Sequence, residues 1–335
     1  MMTVDQLEDL LSQPSEADVA FLRQLEGDIL ILGAGGKMGP SLARLASRGV
    51  RESGVPRRIV AVSRFASPEA RQQLAAWGVE AISCDLLDRT QIAQLPDSAN
   101  VLFLAGRKFG STDNQPLTWA TNVLLPAMAA ERYRGSRMVA LSSGNVYPLS
   151  NRPAGEDTPP GPVGEYAQTV LGRERVFEYF STRDATPVTL IRLNYAIDLR
   201  YGVLLDIGQR VLAGRPMPLA MGAVNVIWQR DANSFCLRAL ALATSPPRLL
   251  NVTGRETLRV RWIAERFGEI FGIEPRFEGA EGGTALLNDS SLCGRLLGDP
   301  AMRAEEMIAM TAEWIRGGGP TLNKPTHFEV RDGAF

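Results

Sequence analysis

Residues 27–39 read GDILILGAGGKMG, and few stretches restrict a fold more. The apolar run Ile29-Leu30-Ile31-Leu32 meets Gly33, Gly35, Gly36 and Gly39, and the helix-compatible run Pro40-Ser41-Leu42-Ala43-Arg44-Leu45-Ala46 follows at once. A strand, a tight glycine turn and a helix start make the arrangement that binds a dinucleotide pyrophosphate. Glycine reaches backbone angles that other residues avoid and lets the chain approach phosphate oxygens with no Cβ in the way. The unpaired N–H groups at the helix N-terminus then face the anion. The plainer alternative is an ordinary strand-to-helix turn.

The pattern after Gly39 extends this beginning. Strands are expected at 58–62, 79–82, 101–104, 137–141 and 188–192. Helices are expected at 67–77, 117–134 and 163–182, with a loop at Pro96-Asp97. Strands alternating with helices imply an α/β fold, a doubly wound parallel sheet whose strand ends share one ligand-binding edge. Beyond residue 195 the pattern loosens. Residues 214–218 read as a turn, 230–243 as an amphipathic helix, 249–252 as a strand and 259–271 as a helix. Before the first strand, residues 3–25 suit two short helices divided by Pro14 and Ser15, a segment expected to cover an outer surface or a neighbouring subunit. The resulting division is an N-terminal helical extension (1–26), a dinucleotide-binding domain (27–194, its sheet completed by parts of 220–255), a smaller C-terminal α/β substrate-binding lobe (195–316) and a tail (317–335).

Composition removes several function classes. A net charge of −1 argues against a nucleic-acid partner. No apolar run is long enough to span a bilayer, and the polar, acidic first residues do not read as a signal peptide, so no membrane partner is expected. Cys84, Cys236 and Cys293 are far apart, lack metal-ligand spacing and read as buried thiols of a cytoplasmic protein. The single histidine, His327, makes a Ser-His-Asp hydrolase improbable and excludes a multi-histidine metal site; it reads as a surface or packing residue.

Several residues, taken together, resemble the extended short-chain dehydrogenase/reductase family, the NAD-dependent epimerase/dehydratases, over roughly residues 27–315. They are the glycine loop, Cys84-Asp85-Leu86-Leu87, Leu104-Ala105-Gly106, Asn122, the run from Leu141 to Pro148 (LSSGNVYP), Tyr166, Arg192-Leu193-Asn194, and Gln229-Arg230-Asp231. The resemblance implies a Rossmann fold. It implies that Gly33, Gly35, Gly36, Lys37, Met38 and Gly39 line the pyrophosphate and that Asp85 hydrogen-bonds the adenine. Leu86, Leu104, Ala105, Gly106 and Asn122 complete the implied cofactor set. At the end of the second strand, Ser63-Arg64 suits the 2′-phosphate of NADP through charge-assisted bonds worth about 1.5–3 kcal/mol; an acidic residue there would suit NAD, which stays the alternative. A homodimer is open through the helices expected around 117–134 and 163–182.

In that family a tyrosine acts as general acid or base, a serine or threonine shares its hydrogen bond to the substrate, and a lysine four residues on lowers the phenol's pKa from about 10 towards neutrality. Tyr166 and Ser143 take the first two roles, but the lysine position holds Val170. Arg173, Lys108 and Lys37 are candidate replacements, with Arg173 two helical turns, or about 10 Å, along the same face. Gly144-Asn145 stand where sugar dehydratases carry an acid pair, which disfavours dehydration. Lys108, Asn145, Asn194 and Arg230 are the expected substrate contacts, while Tyr195, Arg200, Tyr201, Arg215 and Gln229 lie near the usual substrate wall. The expected activity is an NAD(P)-dependent oxidoreductase or epimerase acting on a hydroxyl or carbonyl of a sugar-like small molecule. The alternative is an NAD(P)-binding regulatory protein that no longer turns over.

Overall fold

The computed structural model describes residues 2–65, 67–324 and 326–333. Met1, Ala66, Pro325, Ala334 and Phe335, which the expected segments include, lie outside the described residues. Seven parallel strands form the main sheet: β1 (Ile29–Leu32), β2 (Ile59–Ser63), β3 (Glu80–Ser83), β4 (Asn100–Phe103), β5 (Arg137–Ser143), β6 (Val188–Leu193) and β7 (Arg248–Val252), in the order β7-β6-β5-β4-β1-β2-β3. The chain reverses its direction of travel between β1 and β4, so a crevice opens there at the C-terminal strand ends. The run ILIL is buried at every position because both faces of this central strand are covered. Ile29 and Ile31 enter one core, with Leu42 and Phe235; Leu30 and Leu32 enter the other, with Phe103 and Phe177.

A third core, lying outside the sheet, contains Ile197, Trp228, Phe267 and Trp314. Sequence pattern was least informative here. Helices Val203–Leu212, Ser291–Leu297 and Ala304–Arg316 were not expected, and Met217–Pro218 pairs in parallel with Phe277–Glu278. Two-residue strands show no alternation to read. The last helix did carry a signal: Ala304, Met307, Ile308 and Thr311 recur at helical spacing and are buried. The short helix Arg89–Ala93, capped by Asp88, was also unexpected.

The N-terminal extension covers its own chain. Helix α1 (Val4–Leu11) starts at a capping box of Thr3 and Gln6, and α2 (Glu16–Gln24) at one of Ser15 and Asp18. Leu7 and Leu11 are buried in the third core, while Leu22 and Leu25 are buried in the core beside α3 (Gly39–Ser53). The extension therefore bridges two cores.

The helix expected at 117–134 runs from Gln115 to Arg132 but widens to a π turn at Ala120–Leu124. Pro126 explains the break. It has no N–H, so the carbonyl of Asn122, four residues earlier, loses its helical donor. Arg173 faces that carbonyl with Nε, at 3.5 Å.

A buried charge network joins the strand ends to the helix Gly164–Asp184. Arg192 on β6 grips Glu174 on that helix with Nε and Nη2, at 3.0 and 2.8 Å, and both side chains are almost fully buried. Ser142 donates to Glu174, and Arg192 Nη1 donates to the Tyr147 hydroxyl at 2.7 Å. Tyr147 donates in turn to Asn251 Oδ1 on β7, at 3.0 Å. Arg192→Met leaves Glu174 charged and alone. It is expected to lower the unfolding free energy by about 3–5 kcal/mol in urea denaturation, and the double variant Glu174→Met/Arg192→Met is expected to recover most of that loss because both charges leave together.

Candidate active site

Two adjoining cavities, of about 640 and 380 Å³, open at the strand ends and share the glycine turn as their floor. Each glycine there has its own reason. Gly33 has φ +87°, and a Cβ on it would lie 2.5 Å from the backbone nitrogen of Ala105. A Cβ on Gly35 would lie 2.5 Å from Ser63 Oγ, and one on Gly39 would strike the carbonyl of Ala34. Gly36 differs: its missing Cβ would meet only the Gly33 carbonyl, at 3.5 Å, so its bareness opens the cleft rather than the chain packing. The first turn of α3 has no side-chain cap and carries Pro40, which leaves its N-terminal pole for an anion. This cradle fits a diphosphate.

The smaller cavity is lined by Ser63, Arg64, Asp85, Leu86, Leu104, Ala105 and Gly106. Arg64 is exposed at its edge, and Asp85 accepts from Leu87 N at 3.1 Å. The larger cavity collects Lys37, Met38, Lys108, Ser143, Asn145, Tyr166 and Asn194. Asn122, expected to touch the cofactor, lies outside both. It is fully buried, accepts from Arg107 N at 2.8 Å and donates to Arg107 O at 2.9 Å, so it clamps the loop that follows β4. Arg230, expected to touch substrate, also lies outside: Nε donates to Gln13 O at 2.8 Å and Nη1 pairs with Asp231 at 3.0 Å. Gln229 is turned into the core, where it donates to Ser41, and Arg215 lines a separate small cavity.

Ser143 and Tyr166 meet. Alternation along β5 sends Ser142 inward to Glu174 and Ser143 towards the cleft. Ser143 Oγ donates to Asn145 Oδ1 at 2.9 Å and is hydrogen-bonded to the Tyr166 phenol. Burial pushes that phenol up, while the charge of Arg173 and the Ser143 bond pull it down. Val170 sits one turn on, buried against Val146, Tyr147 and Ala154.

Cations line the same cavity. Lys37 Nζ donates to Ala196 O at 2.6 Å and lies 4.3 Å from the centre of the Tyr201 ring; burial pulls it down to about 8. Lys108 lies 6.0 Å from the centre of the Tyr166 ring, faces Thr326 O at 3.4 Å, and burial likewise pulls it down to about 8. Arg200 is neutralised by Glu8 at 2.6 Å and Asp198 at 3.2 Å. Burial holds the phenols of Tyr195 and Tyr201 well above their ordinary range. Tyr195 has φ +40°, a strained conformation for a bulky residue. Glu8, Leu322, Lys324 and Thr326 also line the cleft and were missed. They arrive from the two ends of the chain, and no local pattern marks them. Among the described residues no cluster could hold a metal ion, and no helix is long and apolar enough to cross a membrane.

Residues 29–196 match the model of the NAD dependent epimerase/dehydratase family. A comparison with curated proteins gives no match. Solved structures similar to this chain include UDP-glucuronic acid 4-epimerase from Bacillus cereus in complex with NAD, 18% identical with a TM-score of 0.71. UDP-glucose 4-epimerase from Thermus thermophilus in complex with NAD is 18% identical, with a TM-score of 0.69. MoeE5 in complex with UDP-glucose and NAD is 21% identical, also with a TM-score of 0.69. In each case 87% of this chain covers 99% of the other. At these identities the likeness shows the fold.

The two kinds of glycine separate by mutation. Gly33→Ala forces an L side chain into a left-handed conformation against the Ala105 backbone and is expected to destabilise by about 2 kcal/mol or more, whereas Gly36→Ala is expected to stay within about 1 kcal/mol of the parent in chemical denaturation.

Proposed function

Because the chain belongs to the NAD dependent epimerase/dehydratase family, we propose that it is an NAD(P)-dependent oxidoreductase or epimerase. Its substrate is a hydroxyl or carbonyl compound of sugar type, a sugar acid or a nucleotide sugar. The observation that carries this reading is the hydrogen-bonded Ser143 and Tyr166 pair in the cavity floored by the glycine turn. Nothing in the comparisons supports the binding-only alternative.

The residues fit a nicotinamide dinucleotide. Gly33, Gly36 and α3 would hold its diphosphate, Asp85 and Leu86 would flank its adenine, and Ser63 with Arg64 would meet its adenosine ribose. The bound group supplies the hydride acceptor and donor. In the oxidative direction Tyr166 Oη takes the proton as the substrate O–H bond breaks. In the reductive direction it returns a proton to the carbonyl oxygen. Ser143 Oγ would turn its single proton from Asn145 Oδ1 to the same oxygen, while the Asn145 backbone N–H, 3.2 Å away, keeps Ser143 oriented. Dehydration is disfavoured. A Cβ at Gly144 would lie 2.6 Å from Asn288 Oδ1, so no acid fits there, and Asn145 is an amide tied to Ser143.

Lys37, Lys108 and Lys324 line the cleft and favour an anionic substrate. UDP-glucose and UDP-glucuronic acid, bound by MoeE5, are of that chemistry. Ser63 and Arg64 favour NADP over NAD, although the similar structures named above hold NAD. A homodimer through the helices carrying Trp119 and Tyr166 belongs to the same reading, supported by the exposure of Leu117, Trp119 and Leu124. The buried, unpaired thiols of Cys84, Cys236 and Cys293 suit a reducing cytoplasm.

Tyr166→Phe is expected to lower turnover at least about 100-fold while leaving dinucleotide affinity within about 3-fold. The assay follows hydride transfer and epimer formation across sugar acids and nucleotide sugars, and retained turnover removes Tyr166 from the chemistry. The cofactor preference has its own measurement. Arg64→Ala is expected to weaken NADPH binding about 10-fold or more and NADH binding little, by calorimetric titration. A parent protein that binds both equally defeats the NADP reading.

A further inference from the structure

If Tyr166 exchanges protons, something must stabilise its ionised form. One turn along the helix, Val170 cannot, and its surroundings of Val146, Tyr147 and Ala154 offer a charge no solvation. Resting on the Ser143–Tyr166 reading above, we propose that Arg173 is the positioning residue that supplies this positive charge from behind the cleft wall, in place of a lysine at Val170.

Arg173 is buried, and no carboxylate forms an ion pair with it among the described residues. Its guanidinium is held by carbonyl dipoles instead. Nη1 donates to Leu141 O at 2.6 Å, Nη2 donates to Asn122 Oδ1 at 2.8 Å, and Nε faces Asn122 O. The adjacent Glu174 is already bound by Arg192 and Ser142. Glu174 still favours the charged guanidinium from a distance, but its oxygens are committed to Arg192 and Ser142, so it forms no ion pair that would hold Arg173.

Three features of the chain make room for it. Pro126 cannot donate to the Asn122 carbonyl and so leaves it for Arg173. The π turn at Ala120–Leu124 presents that carbonyl. Gly106 has no side chain, and a Cβ there would lie 2.6 Å from Nη2. A buried charge without a partner anion is destabilising, and such charges concentrate where function requires them.

Arginine also suits the task better than the nearby lysines. Burial pulls Arg173 down to about 10 and Lys37 and Lys108 to about 8, so Arg173 holds its proton with the wider margin above neutral pH. Arg173 also acts on the phenol, lowering it against the effect of burial. Among the described residues, charged and titratable groups facing Tyr166 include Arg173 from its own helix, Lys108 from the loop after β4, and Tyr201 from the segment before the helix Val203–Leu212. Lys108 lies over the ring, and Lys37 is engaged at Ala196 and Tyr201.

The test is a titration of the Tyr166 phenol by carbon-13 NMR of labelled tyrosine in the full chain without added ligand, with the resonance assigned by its loss in Tyr166→Phe. Arg173→Gln is expected to raise the midpoint by about one pH unit or more, and Arg173→Lys to retain most of the parent value. Asn122→Asp, nearly isosteric, sets a carboxylate against Nη2 and is expected to raise the midpoint in the same direction, which keeps the test open if Arg173→Gln does not fold. Lys108→Met is expected to move it by less than about 0.3 unit. An unmoved midpoint in folded Arg173→Gln or Asn122→Asp, or a larger shift in Lys108→Met, overturns the proposal. The titration needs no substrate, so its failure is distinct from retained turnover in Tyr166→Phe, which defeats the catalytic reading itself.

Discussion

The site depends on the buried pair of Glu174 and Arg192. Strands β5, β6 and β7 and the helix Gly164–Asp184 each reach this pair directly or through one neutral group. Arg192 belongs to β6, Ser142 to β5, and Asn251 on β7 joins through Tyr147. Glu174 lies two turns beyond Tyr166 on the same helix. The distance between Ser143 and Tyr166 is thus fixed by charges the cleft never sees. A buried ion pair is a poor way to gain stability, because desolvation offsets much of its attraction. It is a good way to fix register, because a shifted helix would leave two charges alone in a low dielectric. Alternation along β5 then carries that register to the cavity: Ser142 bonds to the pair, and its neighbour Ser143 meets Tyr166 at the cavity wall.

How much of this could be read from the sequence follows from the range of each interaction. ILIL followed by four closely spaced glycines marks a central strand and its turn, since burial on both faces and the turn geometry are local requirements. That Ser143 ends a strand and Tyr166 lies in the first turn of a helix was legible because each element carries its own local pattern. Arg230 was misplaced because a helix start tells which residues begin it, but not what its first turn packs on; here that is the carbonyl of Gln13. Asn122 was misread for a related reason. A buried amide beside a ligand loop can touch the ligand or hold the loop, and only its partners at Arg107 decide. Glu8 and Lys324 had no local signature at all, as they enter the cleft from opposite ends of the chain.

The N-terminal extension illustrates the same limit at larger scale. Its two amphipathic helices were visible, but their destination was not. Leu22 lies against Gly49 of α3, where a Cβ would meet its Cδ1 at 2.5 Å, so a glycine in mid-helix marks the docking place. Leu7 and Leu11 reach the other core, and Glu8 between them turns to Arg200. One short segment thereby ties α3, which carries the glycine turn, to the wall that would face the substrate.

The cations of the cleft divide by how their charge is compensated. Arg200 lies between Glu8 and Asp198, and its charge is spent on structure. Lys37 and Lys108 are held by carbonyl oxygens and burial pulls them down to about 8, so they still carry charge at neutral pH and an arriving anion would favour the charged form further. Arg173 is also held by carbonyls but cannot give up its proton near neutral pH. Its desolvation must therefore be borne by the fold, and the phenol of Tyr166 is the acidic group that can return part of it by ionising. Replacing a lysine at position 170 by a more distant arginine lengthens the Coulomb path but lowers the dielectric along it, since Gly106, Leu141 and Phe103 exclude water from the guanidinium. The buried charge and the Tyr166 phenol are then two halves of one electrostatic arrangement, separated by the wall of the cleft.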